Sequence, residues 1–124
     1  MKDKIKCGVL GAGWWATFAH IPALLKHDRA ELVAIQRSDI ELARKIASDF
    51  GIPYAFTSAS ELLAVDGLEA VVVSSSPHLH YENARAALLM GKHVLIEKPM
   101  TLTAVQAQQL LELAARKNLQ FLIS

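Results

Sequence analysis

Two hydrophobic rhythms alternate along this chain. Short apolar runs recur at Ile5 to Leu10, Glu31 to Gln36, Pro53 to Phe56, Glu69 to Ser74, His93 to Glu97 and Leu119 to Ile123. Runs this short and this continuous, such as Leu32-Val33-Ala34-Ile35 and Val71-Val72-Val73, suit strands buried on both faces of a parallel sheet. Between them the apolar residues fall at helical spacing, as in Ile40, Ala43, Ala47 and Phe50, or Ala107, Leu110, Leu111 and Ala114. Three segments carry a capping-box pattern, with Ser38, Ser58 and Thr103 as expected caps and Glu41, Glu61 and Gln106 three residues on. Gly51 and Gly91 mark helix ends. A helix is also expected from Trp14 to Lys26, but Pro22 lies inside it. An interior proline costs about 3 kcal/mol, so a break or a fresh first turn is expected near Ile21-Pro22. The resulting order is β-α-β-α-β-α-β-α-β-α-β. With right-handed crossovers it folds as an α/β doubly wound parallel sheet of order 3-2-1-4-5-6, with ligands at the carboxyl ends of strands 1 and 4.

The first strand ends in Gly11-Ala12-Gly13-Trp14-Trp15-Ala16, a G-x-G-x-x-A turn at that ligand edge. Gly11 allows the tight turn, and Gly13 lets a phosphate approach the backbone with no Cβ in the way. Ala16 lets the helix sit close on the sheet. The helix start offers unpaired N–H groups and partial positive charge, to which a dinucleotide pyrophosphate is a natural ligand. Trp14 and Trp15 either flank that pyrophosphate and the ring system or cover the sheet edge.

The end of strand 2 reports on the ribose. An Asp or Glu about 20 residues past the glycine turn takes the 2′-hydroxyl of NAD. Here Arg37-Ser38 hold that place, Arg37 lying 21 residues past Ala16. A guanidinium pairs with a 2′-phosphate, so NADP is the preferred cofactor and NAD the alternative. The other reading makes Arg37 a surface residue and Asp39 the acidic ribose ligand. At the end of strand 5, Glu97-Lys98-Pro99 places an ammonium beside a nicotinamide or substrate oxygen. Burial would tune Lys98 for acid–base work, Glu97 would hold it by charge, and Pro99 would fix the chain, with a cis bond as one option. After strand 4, Ser75 in Ser74-Ser75-Ser76-Pro77 offers a hydroxyl to the cofactor. His80 is either a polar cofactor contact or an exposed residue of a first helical turn. His20 and His27 read as helix-surface residues, and Cys7 as a buried apolar filler. His78 and His80 lack the cysteine or carboxylate company of a metal site, so no metal is expected.

Bulk properties narrow the class. A chain of 124 residues with 52% hydrophobic positions suits one domain, 1–124, with a real core. Thirteen basic against twelve acidic residues, with no run of one sign, do not suggest nucleic-acid binding. The single cysteine excludes an internal disulfide and fits a reducing, cytoplasmic setting. No stretch reaches the roughly 20 apolar residues that a membrane span requires, and Met1-Lys2-Asp3-Lys4 leads in without a signal-peptide pattern.

Taken together these stretches resemble the N-terminal Rossmann domain of the glucose–fructose oxidoreductase / inositol dehydrogenase (Gfo/Idh/MocA) family. The matching pieces are the glycine turn, His20-Ile21-Pro22-Ala23-Leu24, Leu32 to Ile35, His78-Leu79-His80, and Gly91 to Pro99. The last is the most specific. The resemblance implies an NAD(P)-dependent oxidoreductase acting on sugars, cyclitols or related small molecules, with Lys98 contacting cofactor and substrate. Ser75-Ser76-Pro77 departs from the family's usual Thr-Pro-Asn segment, which blurs assignments in that loop. The family's second α/β domain is not in the chain, so the isolated chain is expected to bind cofactor weakly and turn over little. Self-association is one way to cover the apolar surface that domain would have met. The alternative is a stand-alone, non-catalytic dinucleotide-binding module, which gives Lys98 no task. A methyltransferase using S-adenosylmethionine would want an acidic residue where Arg37 stands.

Overall fold

The computed structural model describes residues 4–124; Met1-Lys2-Asp3, on which the leader expectation partly rests, lie outside the described residues. Six strands form one parallel sheet: β1 (Ile5–Leu10), β2 (Ala30–Gln36), β3 (Tyr54–Phe56), β4 (Ala70–Val73), β5 (His93–Ile96) and β6 (Phe121–Ile123), in the order β3-β2-β1-β4-β5-β6. Five helices connect them: α1 (Ile21–Lys26), α2 (Ile40–Phe50), α3 (Ala59–Leu63), α4 (His80–Leu89) and α5 (Ala104–Arg116). The expected α/β class and strand order are the observed ones.

The alternation of side chains along each strand divides the core in two. Leu10, Val71, Val73, Val94 and Ile96 pack with Leu62, Leu63, Leu88 and Leu110 from α3 to α5. Val9, Leu32, Ile35 and Val72 pack with Ala16, Ile21, Ala43 and Ala47 on the other side. Cys7 belongs to this second layer, as expected of a filler. Burial pushes its thiol up to about 11; its contact to the Glu31 carbonyl opposes that rise and the Glu31 charge adds to it. Beyond α1 the same side is open. A groove of about 300 Å³ runs past Cys7, Leu24, Val72, Leu95 and Leu122, and Leu122 is 59% exposed. Among the described residues no helix is long and apolar enough to cross a membrane.

Two local expectations change, and a third takes a definite form. Ser58 and Thr103 cap their helices, accepting from Glu61 and Gln106 N–H, but α2 is capped by Asp39 and not Ser38. The Arg37 N–H still donates to Phe56 O of β3, so the chain stays extended longer and the cap falls one residue later. On α5 the buried face is Leu110, Leu113 and Ala114, while Leu111 is 47% exposed. The residues three and four beyond Leu110 share its face, and Leu111 is turned away from it. Finally, of the two outcomes expected at Pro22, the helix takes the fresh first turn. It widens into a π turn over Ala16–His20, closed by Ile21 N–H donating to Ala16 O, and α1 starts afresh at Ile21 with proline in its first turn.

Candidate functional site

Register builds the site. Gln36 pairs with Leu10, Leu10 with Val73, and Val73 with Ile96. Four strands therefore end level, and the residues that follow them, Arg37, Gly11, Ser74 and Glu97, emerge along one carboxyl edge. Backbone bonds carry the ladder one step further: Ser74 N–H donates to Leu10 O at 2.8 Å and Glu97 N–H to Val73 O at 3.0 Å. The sequence placed its candidate residues at this edge, and the structure brings them together there.

The glycine turn has two different requirements. Gly11 stands at φ +86°, and a Cβ there would lie 2.3 Å from Ser75 Cα and 2.4 Å from Ser75 N. Backbone meets backbone at this point, so no side chain fits. At Gly13 an added Cβ would meet nothing within 4 Å. The space over Gly13 is the open cradle that an anionic group at this turn needs. Arg37 lies beside it, its Nη1 donating to Ala12 O at 3.1 Å. Among the described residues no carboxylate pairs with that guanidinium. Ser38 is exposed next to it. Asp39, the alternative ribose ligand, already accepts from Glu41 and Leu42 N–H through Oδ1.

A cleft of about 380 Å³ opens at the ends of β4 and β5, lined by Trp15, Ser74, Ser75, Pro77, His80, Glu97 and Lys98. Trp15 reaches it and donates its indole N–H to Glu97 Oε2 at 2.7 Å. Trp14 does not line it; 75% exposed, it stacks on Phe18 with centroids 5.6 Å apart. His20, expected on the helix surface, is largely buried against the same Glu97 oxygen. The π turn explains how, because its i→i+5 bonding returns residues five apart, Trp15 and His20, to one face. In an α-helix that spacing would point them apart. His20 was missed because the extra residue in the turn shifts its phase.

Glu97 therefore holds the helix after the glycine turn, and it does not pair with Lys98 as expected. Burial raises the Glu97 pKa, but the bonds from His20 and Trp15, the His20 charge and the Ser124 hydroxyl outweigh this and leave it lowered. A carboxyl depressed on folding stabilises the fold at pH above the ordinary carboxylate range, and that contribution is lost as pH falls through the depressed value. Urea midpoints at pH 7 and below pH 4 should thus differ more in the wild type than in Glu97→Gln. Equal differences would contradict the pairing.

Lys98 itself is exposed at the rim, so the described residues do not supply the burial expected to tune it. The Lys98-Pro99 bond is cis. His80 is neither exposed nor free to reach a ligand. Its side chain is 1% exposed, with Nε2 2.8 Å from Ser75 O and Nδ1 2.7 Å from Pro99 O. Ser75 Oγ accepts from Asn83 Nδ2 at 2.9 Å. Among the described residues no three His, Cys, Asp or Glu side chains converge as a metal centre requires.

Comparison with known proteins agrees with this geometry. Residues 5–124 match the family model described as "Oxidoreductase family, NAD-binding Rossmann fold". A dTDP-3,4-didehydro-2,6-dideoxy-alpha-D-glucose 3-reductase of Streptomyces antibioticus is 37% identical over 94% of this chain and 35% of its own length. A scyllo-inositol 2-dehydrogenase (NADP(+)) of Bacillus subtilis is 34% identical over 94% of the chain and 32% of its own. Among solved structures, a 3-ketoreductase of Actinomadura kijaniata in complex with NADP and TDP-benzene superposes with a TM-score of 0.93 at 32% identity. That match covers 98% of this chain and 37% of the reductase. The chain thus spans about a third of the length of the proteins it matches. With a level strand edge, an open glycine turn and a family model matched from Ile5 to the last residue, this chain belongs to the Gfo/Idh/MocA oxidoreductases and is their NAD-binding Rossmann domain.

Proposed function

We propose that this domain takes NADP(H) in preference to NAD(H) and presents the nicotinamide to Lys98, for hydride exchange with a sugar, cyclitol or related small alcohol or carbonyl. The observation that carries the preference is the Arg37 guanidinium, lodged against the Ala12 carbonyl of the glycine turn with no carboxylate partner among the described residues. Most of its N–H donors stay available to a 2′-phosphate, and the exposed Ser38 hydroxyl adds one more. Gly11 and Gly13 would hold the pyrophosphate, and Trp15, Ser75 and Glu97 would border the nicotinamide half. Trp14 would act from outside the cleft, flanking the pyrophosphate. When bound, the cofactor supplies or accepts the hydride. Lys98 would hold the proton at the substrate oxygen, as an ammonium donor or its conjugate base.

The exposure of Lys98 supports a division of labour. A second α/β domain, of the kind the longer relatives have room for, would close over the cleft, exclude water and complete the substrate pocket. The open groove beside Leu122 gives self-association a surface, and the single buried thiol suits a cytoplasmic setting. The cofactor preference is tested by titrating the purified chain with NADPH and NADH. NADPH should bind about tenfold or more tightly, as one or two charge-assisted bonds allow. Arg37→Ala should remove that advantage while sparing NADH. Equal affinities in the wild type would defeat the Arg37 argument.

A further inference from the structure

Lys98 has no ionic partner among the described residues, yet the residues on either side of it are both held. Glu97, before it, is bound by His20 and Trp15. Pro99, after it, offers its carbonyl to Nδ1 of His80. We propose that His20 and His80 are positioning residues, a pair of ties that fix where Lys98 stands relative to the glycine turn. The inference rests on reading Lys98 as the group at the nicotinamide end.

Both ties lead back to the same place by separate routes. Trp15 and His20 belong to the helical segment that starts directly after Gly13, so the bond to Glu97 couples the end of β5 to the phosphate-binding helix. His80 reaches Ser75 O with its other nitrogen. Ser75 backbone occupies the space where a Gly11 Cβ would stand, so this tie joins the Lys98-Pro99 segment to the turn itself. His80 is the one buried polar or charged residue among the described residues, and no buried side-chain nitrogen or oxygen there lacks a partner. The imidazole meets two acceptors. It donates to one of them as the neutral ring and to both as the imidazolium. A ring used only for packing would have no need to face carbonyl oxygens at both ends.

The ties act through Glu97 and Pro99 on Lys98, so their loss should loosen one segment and leave the rest of the sheet intact. Hydrogen exchange is to be followed by mass spectrometry in the purified chain for wild type, His20→Gln, His80→Gln and His80→Leu. Peptides covering 96–103 should exchange severalfold faster in each variant, with β1 and β4 peptides unchanged. His80→Gln, which keeps a donor, should fall between wild type and His80→Leu, and it serves if the leucine variant fails to fold. In parallel, NADPH affinity should drop about threefold to tenfold, the size of one or two lost hydrogen bonds. Affinity for adenosine 2′,5′-bisphosphate, which lacks the nicotinamide half, should hold within about twofold, because nothing at the adenine end has moved. The proposal is overturned if exchange at 96–103 is unchanged in His20→Gln and His80→Gln, or rises only in step with β1 and β4. A wild-type chain that bound neither nucleotide would count against the cofactor reading instead, and the exchange data would still judge the ties.

Discussion

Gly11→Ala is expected to unfold much of the population at moderate temperature and to abolish nucleotide binding. The added methyl meets two penalties. A left-handed backbone costs a residue with a side chain about 1–2 kcal/mol. The new Cβ would also lie 2.3 Å from Ser75 Cα and 2.8 Å from Ser74 C, backbone atoms that cannot rotate away. Overpacking of this kind typically costs about 1–3 kcal/mol. The sum is a large part of the 5–15 kcal/mol that holds a typical domain together. It should lower the thermal midpoint by on the order of 10 °C or more. Gly13→Ala provides the contrast, since its methyl enters open space. Its midpoint should stay within a few degrees of wild type, while NADPH binding weakens because the methyl fills the phosphate approach. Calorimetry and a fluorescence titration on both variants check this. Equal destabilisation by the two would refute the distinction drawn between the glycines.

Lys98→Met should have the largest effect on chemistry. In the complete oxidoreductase that this domain is proposed to serve, kcat should fall about 10²- to 10⁴-fold, the usual contribution of a positioned proton donor or acceptor. Methionine keeps the length and apolar stem of lysine, so nucleotide affinity should change far less than kcat. Lys98→Arg should not restore the rate, because a planar guanidinium neither fits the same place nor gives up its proton. The stability of the isolated chain should barely move, since Lys98 is exposed and holds no partner among the described residues. Loss of binding and rate in equal measure would make Lys98 a cofactor clamp and not the proton carrier.

The sheet was legible from the sequence because its signals are local. Val71-Val72-Val73 and Leu32 to Ile35 are too apolar for any exposed setting, and the strand order follows from the handedness of connections. Gly11 and Gly13 could be placed because the turn fixes what each must do. The misses share a cause, which is phase. Leu111 and Leu113 are equally apolar, and only the pitch of α5 decides that Leu113 faces the core. Ser38 and Asp39 are both good caps, and one more bond to β3 moved the choice. Ahead of Pro22, over Ala16–His20, the helix took in an extra residue, which turned His20 from the surface toward Glu97. His80 was recognised as noteworthy but given the wrong neighbours, because its partners are backbone carbonyls, Ser75 O and Pro99 O, that carry no residue signature. Lys98 was placed correctly at the edge, but burial was expected of it and the structure leaves it exposed, because its neighbours on either side turn to His20, Trp15 and His80.

The most direct test of the account is an NMR titration of the purified, isotope-labelled chain with NADPH. Saturable shifts are expected at the amides of Gly11, Ala12 and Gly13, at Arg37 and Ser38, and at Ser75 and Lys98. These span one continuous track along the ends of β2, β1, β4 and β5. Shifts confined to another surface, such as the groove beside Cys7 and Leu122, would contradict it.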